Sequence, residues 1–200
     1  MSVICVTGPM AAGKNAVSAI LERMGFACVD ADVLAHKAVE MCKDQIVCAF
    51  EKEAAAASCR LLNDDGTLNR RSLGALIFPR PDLLARQEAI VHPAIEKLAA
   101  DFMKANPGKN IVLNATVLYK VTDLMKLCDL ILFVDAPKLL RFVRARRRDG
   151  MKAKQIFARF KAQKKLFECY AHTGIRIEVV KNFGSIKNLE NKIESIVNRF

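Results

Sequence analysis

The sequence predicts an α/β fold, a parallel sheet with helices on both faces, interrupted by a helical lobe and carrying a helical hairpin near its end. Three observations predict it. Short, apolar, β-branched runs recur at residues 3–6, 111–113 and 130–134, each followed by a loop, as expected of strands buried on both faces. Helical-period segments alternate with these runs, which is the pattern of strands joined by crossover helices. The glycine-bearing stretch GPMAAGKN, residues 8–15, lies directly between the first run and a helix.

In chain order, VICV at 3–6 is the first strand. KNAVSAILER at 14–23 places Val17, Ile20 and Leu21 on one helical side, and Met24-Gly25 is its stop signal. A second strand at 26–29 leads into Asp30-Ala31-Asp32 and a helix from about Val33 to Met41. Residues 43–106 differ, with the alanine-rich EKEAAAAS, the turn NDDGT at 63–67, and Pro79, Pro81 and Pro93. They predict a helical lobe, inserted into a core made of residues 1–42 and 107–200. Strands return at 111–113 and 130–134. The densest charge cluster follows at 141–165, where Asp149 is the only acid and RDG at 148–150 divides the run into two helices. A strand at 175–180 and an amphipathic helix at 186–200 close the fold.

With 200 residues, 52% of them apolar, the chain can bury a substantial core. Its net charge of +11 points to acidic partners: phosphorylated small molecules, nucleic acid or an anionic membrane surface. Seven cysteines without a C-x-x-C pair argue against a zinc or disulfide framework and for reduced thiols acting as small hydrophobes. No apolar run approaches the ~18 residues of a membrane span, and the chain begins on a strand-like segment instead of a basic signal peptide. A soluble, cytoplasmic protein is expected.

The residues 8–15 match G-x-x-x-x-G-K, with asparagine where Ser or Thr usually follows. Backbone N–H groups of such a loop curl around phosphate oxygens, the helix after it turns its positive end toward them, and the lysine adds a mobile cation. Gly8, Gly13 and Lys14 hold the positions that matter most, and Ala11 and Ala12 are small enough for close backbone approach, without glycine's freedom at positive φ. Asp32, after the second strand, is either a helix N-cap or a carboxylate that takes or orients a hydroxyl proton in phosphoryl transfer. Asp30 is the better candidate for the cap or for a supporting role. The arginine run is either a solvated or nucleic-acid-binding face, or a lid whose inward guanidinium groups offset phosphoryl charge while closure excludes water. Phe142, Phe157 and Phe160 have the spacing of packing residues and form no stripe for stacking bases.

TGPMAAGK, VDADVLAH, DGTLNRRSLGALIF at 65–78, EAIVHPAI at 88–95, RARRRDG and NFGSIKNLENKI, in this order over nearly the whole chain, resemble the dephospho-coenzyme A kinase family. The resemblance implies a P-loop kinase-like three-layer sandwich with a parallel sheet, a helical substrate lobe over 43–106 and a helical lid over 141–165. It implies transfer of the γ-phosphoryl group of ATP to the ribose 3′-hydroxyl of dephospho-coenzyme A, with Mg²⁺ as cofactor; the sparse aromatic stripe and the lack of a long apolar run make neither nucleic acid nor membrane an expected partner. Gly8, Ala11, Ala12, Gly13, Lys14, Asn15 and Ala16 would hold ATP, with Asn15 toward the metal. Asp32 matches the candidate general base. Arg70, within a signature containing Leu68, Leu73 and Phe78, and His92, of the His92-Pro93 element, match the acceptor-side residues; a proline after histidine is also an ordinary helix start. Arg144 and Arg148 fall on the lid arginines, Arg159 and Gln163 continue that pattern, and Asn182 with Gly184 and Ser185 resembles the loop near adenine.

Departures from the family pattern cluster on the metal side. Asn15 and Ala16 stand where Ser-Thr is usual. NATVLYK replaces D-x-P-L-L-F-E, with Asn114 for the acid, Thr116 for proline and Lys120 for glutamate. Arg176-Ile177 replaces an Ala-Asp pair. An altered nucleotide-binding relative with another acceptor, or a basic nucleic-acid-binding module, is the alternative.

Overall fold

The computed structural model describes every residue but Asp149. In chain order the elements are β1 (Val3–Thr7), α1 (Lys14–Arg23), β2 (Ala27–Asp30), α2 (Ala31–Met41), α3 (Lys43–Ala56), α4 (Arg70–Ile77), α5 (Pro81–Lys104), β3 (Ile111–Asn114), α6 (Thr122–Lys126), β4 (Leu130–Asp135), α7 (Lys138–Asp149), α8 (Ala153–Ala162), α9 (Leu166–Ala171), β5 (Ile177–Lys181) and α10 (Ile186–Val197). They divide into two compact units, residues 1–31 with 105–200, and residues 32–104.

The first unit is built on a five-stranded sheet in the order β2-β3-β1-β4-β5, every neighbouring pair parallel. β1 is central because all five of its residues are apolar or small enough to be buried. Alternate residues serve the two faces. Ile4, Val6, Val112, Leu130, Leu132, Val134 and Val180 pack with Val17, Ile20 and Leu21 of α1 and Leu189, Ile193 and Ile196 of α10. On the other face Phe133 meets Phe167 and Tyr170 of α9 edge-on, with ring centroids 5.1 and 6.5 Å away. Buried Tyr170 accepts from the Leu118 amide at 3.0 Å and donates to the Thr116 carbonyl at 3.2 Å, so its phenol is satisfied inside the third layer. Burial pushes its pKa far up. Arg176, which stands in the altered pair before β5, is matched to Glu178 at 2.6 Å.

In the second unit α2 to α5 pack around side chains such as Ile46, Phe50, Leu73, Val91 and Ile95. Residues 32–42, assigned from sequence to the core, fall in this unit. Arg70 ties α2 to this unit by donating to the His36 carbonyl at 3.3 Å, and just after α2 the Cys42 thiol points to the Ile90 carbonyl at 3.6 Å. The predicted NDDGT turn is closed by Asn63 N–H to the Thr67 carbonyl at 2.9 Å. Asp65 accepts from the Thr67 hydroxyl and amide, which holds its carboxyl below the usual range. Asn69 then caps α4 by accepting from the Ser72 amide at 3.0 Å.

Element boundaries shift where packing or register outweighs local pattern. β2 and β5 run to Asp30 and Lys181, because pairing with Asn114 and Asp135 carries them there. α2 starts at Ala31, so Asp32 lies in its first turn and is not its N-cap. Pro93 is inside the 24-residue α5, and the His92-Pro93 element starts no helix; Pro81 does. A proline there removes one helical hydrogen bond, but it is exposed while Val91, Ile95 and Ala99 keep one buried stripe. Among the described residues no helix is long and apolar enough to cross a membrane. The seven cysteines are free thiols, three of them buried.

Candidate active site

β1 delivers the chain to the carboxyl edge of the sheet, where ligands of open α/β sheets gather, and the loop after it is shaped by backbone constraints. Gly8 has φ 146° and lies so close to the Val134 carbonyl that a β-carbon would overlap its oxygen. Gly13, with φ 107°, precedes α1, and a β-carbon there would collide with the Asn182 amide nitrogen. Ala11 adopts φ 60° without glycine's freedom, at a cost of about 1–2 kcal/mol. Ala11→Gly relieves that strain but frees the unfolded chain, so a net gain of roughly 0.5 kcal/mol is expected, read as a higher urea midpoint. α1 has no side-chain cap and no acid in its first turn, which leaves its positive end turned to the loop. The Lys14 ammonium donates to the Gly8 carbonyl at 3.2 Å.

The helical hairpin predicted at RDG is α7 and α8, with Gly150 as the left-handed cap between them. It is fastened to the loop. Arg141 donates from Nε to the Met10 carbonyl at 2.9 Å, and the Met10 amide donates to Gln163 Oε1 at 2.8 Å. Arg144 donates to the carbonyls of Ala12 and Asn182, both at 3.3 Å. Met10, Ala145 and Ile156 form an apolar cluster with Phe142 and Phe160 against it. Arg141 is buried with its guanidinium 4.4 Å from the Phe160 ring centre. Burial pulls its pKa down while Asp135 acts the other way. These arginines therefore turn toward the loop, and Phe142 and Phe160 pack as their spacing predicts, whereas Phe157 touches both rings but stays exposed.

Ala11, Gly13, Ala16, Arg144, Arg148 and Asn182 line a cleft of about 470 Å³, together with Arg147. A larger cavity of about 860 Å³ reaches the loop through Pro9, with phenylalanines such as Phe133, Phe142 and Phe160 in its wall beside Lys138, Lys161 and Lys164. The smaller cleft carries the chemistry suited to phosphate: loop backbone, a helix start and several guanidinium groups. Asn182, placed near adenine by resemblance, gives its amide nitrogen to the Ala12 carbonyl at 2.8 Å, so it braces the loop as well as lining the cleft.

Two departures from the family pattern, Asn15 and Asn114, meet. Parallel register sets Val6, Asn114 and Asp30 side by side on β1, β3 and β2, and Asn114 Nδ2 donates to Asn15 Oδ1 at 3.0 Å. Asn15 is exposed and Asn114 buried. Asn114 Oδ1 is itself buried without a hydrogen-bond partner. An orphaned amide oxygen beside a second amide oxygen is a donor set that fits a hydrated hard cation, which takes oxygen ligands and keeps several waters.

The structure thus brings Gly8, Ala11, Ala12, Gly13, Lys14, Asn15, Ala16, Arg144, Arg148 and Asn182 into one region. Asp32, Arg70 and His92 belong to the second unit. There Asp32 is exposed at the start of α2, Arg70 opens α4, and His92 is half-buried midway along α5. Arg141 and Arg147 are additions to the sequence reading. Arg141 was legible in principle, since 141, 144 and 148 recur at the spacing of one helix face.

A family model described as dephospho-CoA kinase matches residues 2–188. The chain belongs to the dephospho-CoA kinase family. A curated family member from Treponema denticola is 37% identical over 195 residues, covering 96% of this chain and 86% of that one. Another dephospho-CoA kinase, from Treponema pallidum, is 34% identical over 200 residues, covering 98% and 94%. A solved Thermus thermophilus structure superposes with a TM-score of 0.81 at 27% identity, covering 100% of this chain and 97% of that one. Membership in the dephospho-CoA kinase family therefore rests on nearly the whole chain.

Proposed function

We propose that this dephospho-CoA kinase family member transfers the γ-phosphoryl group of ATP to the ribose 3′-hydroxyl of dephospho-coenzyme A, the last step of coenzyme A synthesis. The observation that carries this reading is the joining of loop and hairpin: two arginines of one helix donate to loop carbonyls beside a lysine at the start of α1. Residues 8–16 would wrap the ATP phosphates with backbone N–H groups, and Lys14 would bridge phosphate oxygens. Arg144 and Arg148, lining the same cleft, would offset the charge that develops as the phosphoryl group moves. Arg70 and His92 would order the acceptor on the helical unit. Asp32 would take or orient the 3′-hydroxyl proton.

Asn15, with Asn114 beside it, would hold Mg²⁺ through oxygen or bound water. When bound, the ion supplies neutralisation of phosphate charge. Asn182 would keep the loop open to the nucleotide by occupying the Ala12 carbonyl. The surplus of positive charge suits two polyanionic substrates.

The test is ADP release with ATP and dephospho-coenzyme A, compared with adenosine, shikimate and nucleoside monophosphates as acceptors. Turnover is expected with dephospho-coenzyme A, and Lys14→Ala is expected to lower kcat by roughly 10²–10³, the scale for removing one preorganised donor to transition-state charge. Folded protein that turns over another acceptor, or none, would sink the proposal.

A further inference from the structure

We infer that Asn15 and Asn114 work as one unit, a charge-neutral pair of amide oxygens that replaces a hydroxyl and a carboxylate, with Asn114 as the positioning residue for Asn15 at the hydrated divalent cation of the nucleotide. The inference deepens the nucleotide-binding reading above and rests on it. Three observations converge. Asn114 Nδ2 donates to Asn15 Oδ1 at 3.0 Å, across 99 positions of sequence. Asn114 is 6% exposed, so its conformation is set by the strand end and not by solvent. Its Oδ1 is buried and has no partner.

Each point has a chemical consequence. An amide oxygen has two acceptor sites. The bond from Asn114 occupies one site on Asn15 Oδ1 and orients that exposed side chain, leaving the second site for a cation or for one of its waters. The orphaned Asn114 Oδ1 lacks a donor, a state that costs about 1–3 kcal/mol when no donor reaches it. Water on a divalent cation is a strong donor and suits that acceptor. Both oxygens are neutral, and the hydroxyl's role passes to Asn15 while the carboxylate's acceptor role passes to Asn114. Changing either position alone breaks the hydrogen bond that aligns the other, which accounts physically for the two departures occurring together.

The experiment measures calorimetric affinity for a non-hydrolysable ATP analogue with and without Mg²⁺, for the full chain and for Asn15→Ala, Asn114→Ala, the double variant and Asn15→Ser/Asn114→Asp. Mg²⁺ is expected to tighten binding to the unaltered chain. Each single alanine variant should lose roughly 10-fold of that gain, the scale for removing a residue that orients a metal ligand. The double alanine variant should lose no more than either single one, because neither amide acts without its partner. Asn15→Ser/Asn114→Asp should retain the gain, which is read for every variant as the ratio of its own affinities with and without Mg²⁺. An Mg²⁺ gain unchanged in Asn114→Ala, with only a lowered Tm, would overturn the pair as a metal device and leave a structural bond. Should Asn114→Ala fail to fold, Asn15→Ala at the exposed position decides the same question, and an unchanged Mg²⁺ gain there overturns the pair. Additive losses in the double variant would also overturn it. Absence of analogue binding to the unaltered chain, with and without Mg²⁺, would instead remove the nucleotide-binding reading beneath it.

Discussion

Gly8→Ala is expected to destabilise the protein by about 3 kcal/mol or more and to abolish nucleotide binding. Two costs act at one atom. The backbone at Gly8 has φ 146°, where L side chains are strained at about 1–3 kcal/mol. A β-carbon there would also meet the backbone oxygen of Val134. Val134 belongs to β4, paired to both β1 and β5, and is fully buried, so the clash cannot be relieved by rotating a side chain. The chain must instead move β1 from β4 or bend the loop away from its cleft. Gly150→Ala supplies the control: Gly150 has φ 60° with nothing within contact distance, so only the left-handed cost of about 1 kcal/mol is expected. Urea midpoints for the two variants check the difference. Equal losses would mean that the contact with Val134 contributes nothing.

Asp32→Asn is expected to lower kcat by roughly 10²–10⁴, the contribution of a positioned general base, with little change in affinity for ATP. The competing explanation is structural. Asp32 lies in the first turn of α2 and is the only acid there, where a negative charge stabilises a helix by about 0.3–1 kcal/mol. That effect is small and independent of catalysis, so the two explanations separate cleanly. A kinetic loss with a Tm shift of a few degrees or less supports the base. A Tm shift with kcat retained assigns Asp32 to the helix alone. Analogue affinity of the variant, measured by the same calorimetry, shows whether the ATP half of the site remains intact.

These two positions also mark how far local sequence reaches. Gly8 and Gly13 were readable because a strand, a tight loop and a helix are consecutive, and each leaves its period in the residues between 3 and 23. The hairpin was readable for the same reason: RDG interrupts one helical pattern and starts another. The helical character of residues 43–106 was readable from composition and from the scarcity of strand-like runs. Asp32 was harder. Its place relative to the start of α2 turned on two residues, and β2 reached Asp30 only because Asn114 pairs with it.

By itself the sequence determined the α/β class, the phosphate loop, the arginine hairpin and the family, since each rests on neighbours in the chain or on ordered motifs along it. Only the tertiary structure decided the strand order, the burial of Arg141 on the Met10 carbonyl, the bracing of Ala12 by Asn182 and the bond from Asn114 to Asn15. All four depend on parallel pairing or hairpin docking between residues far apart in sequence. Periodicity reports which face of a strand or helix is buried, but it carries no record of which distant carbonyl or amide that face will meet.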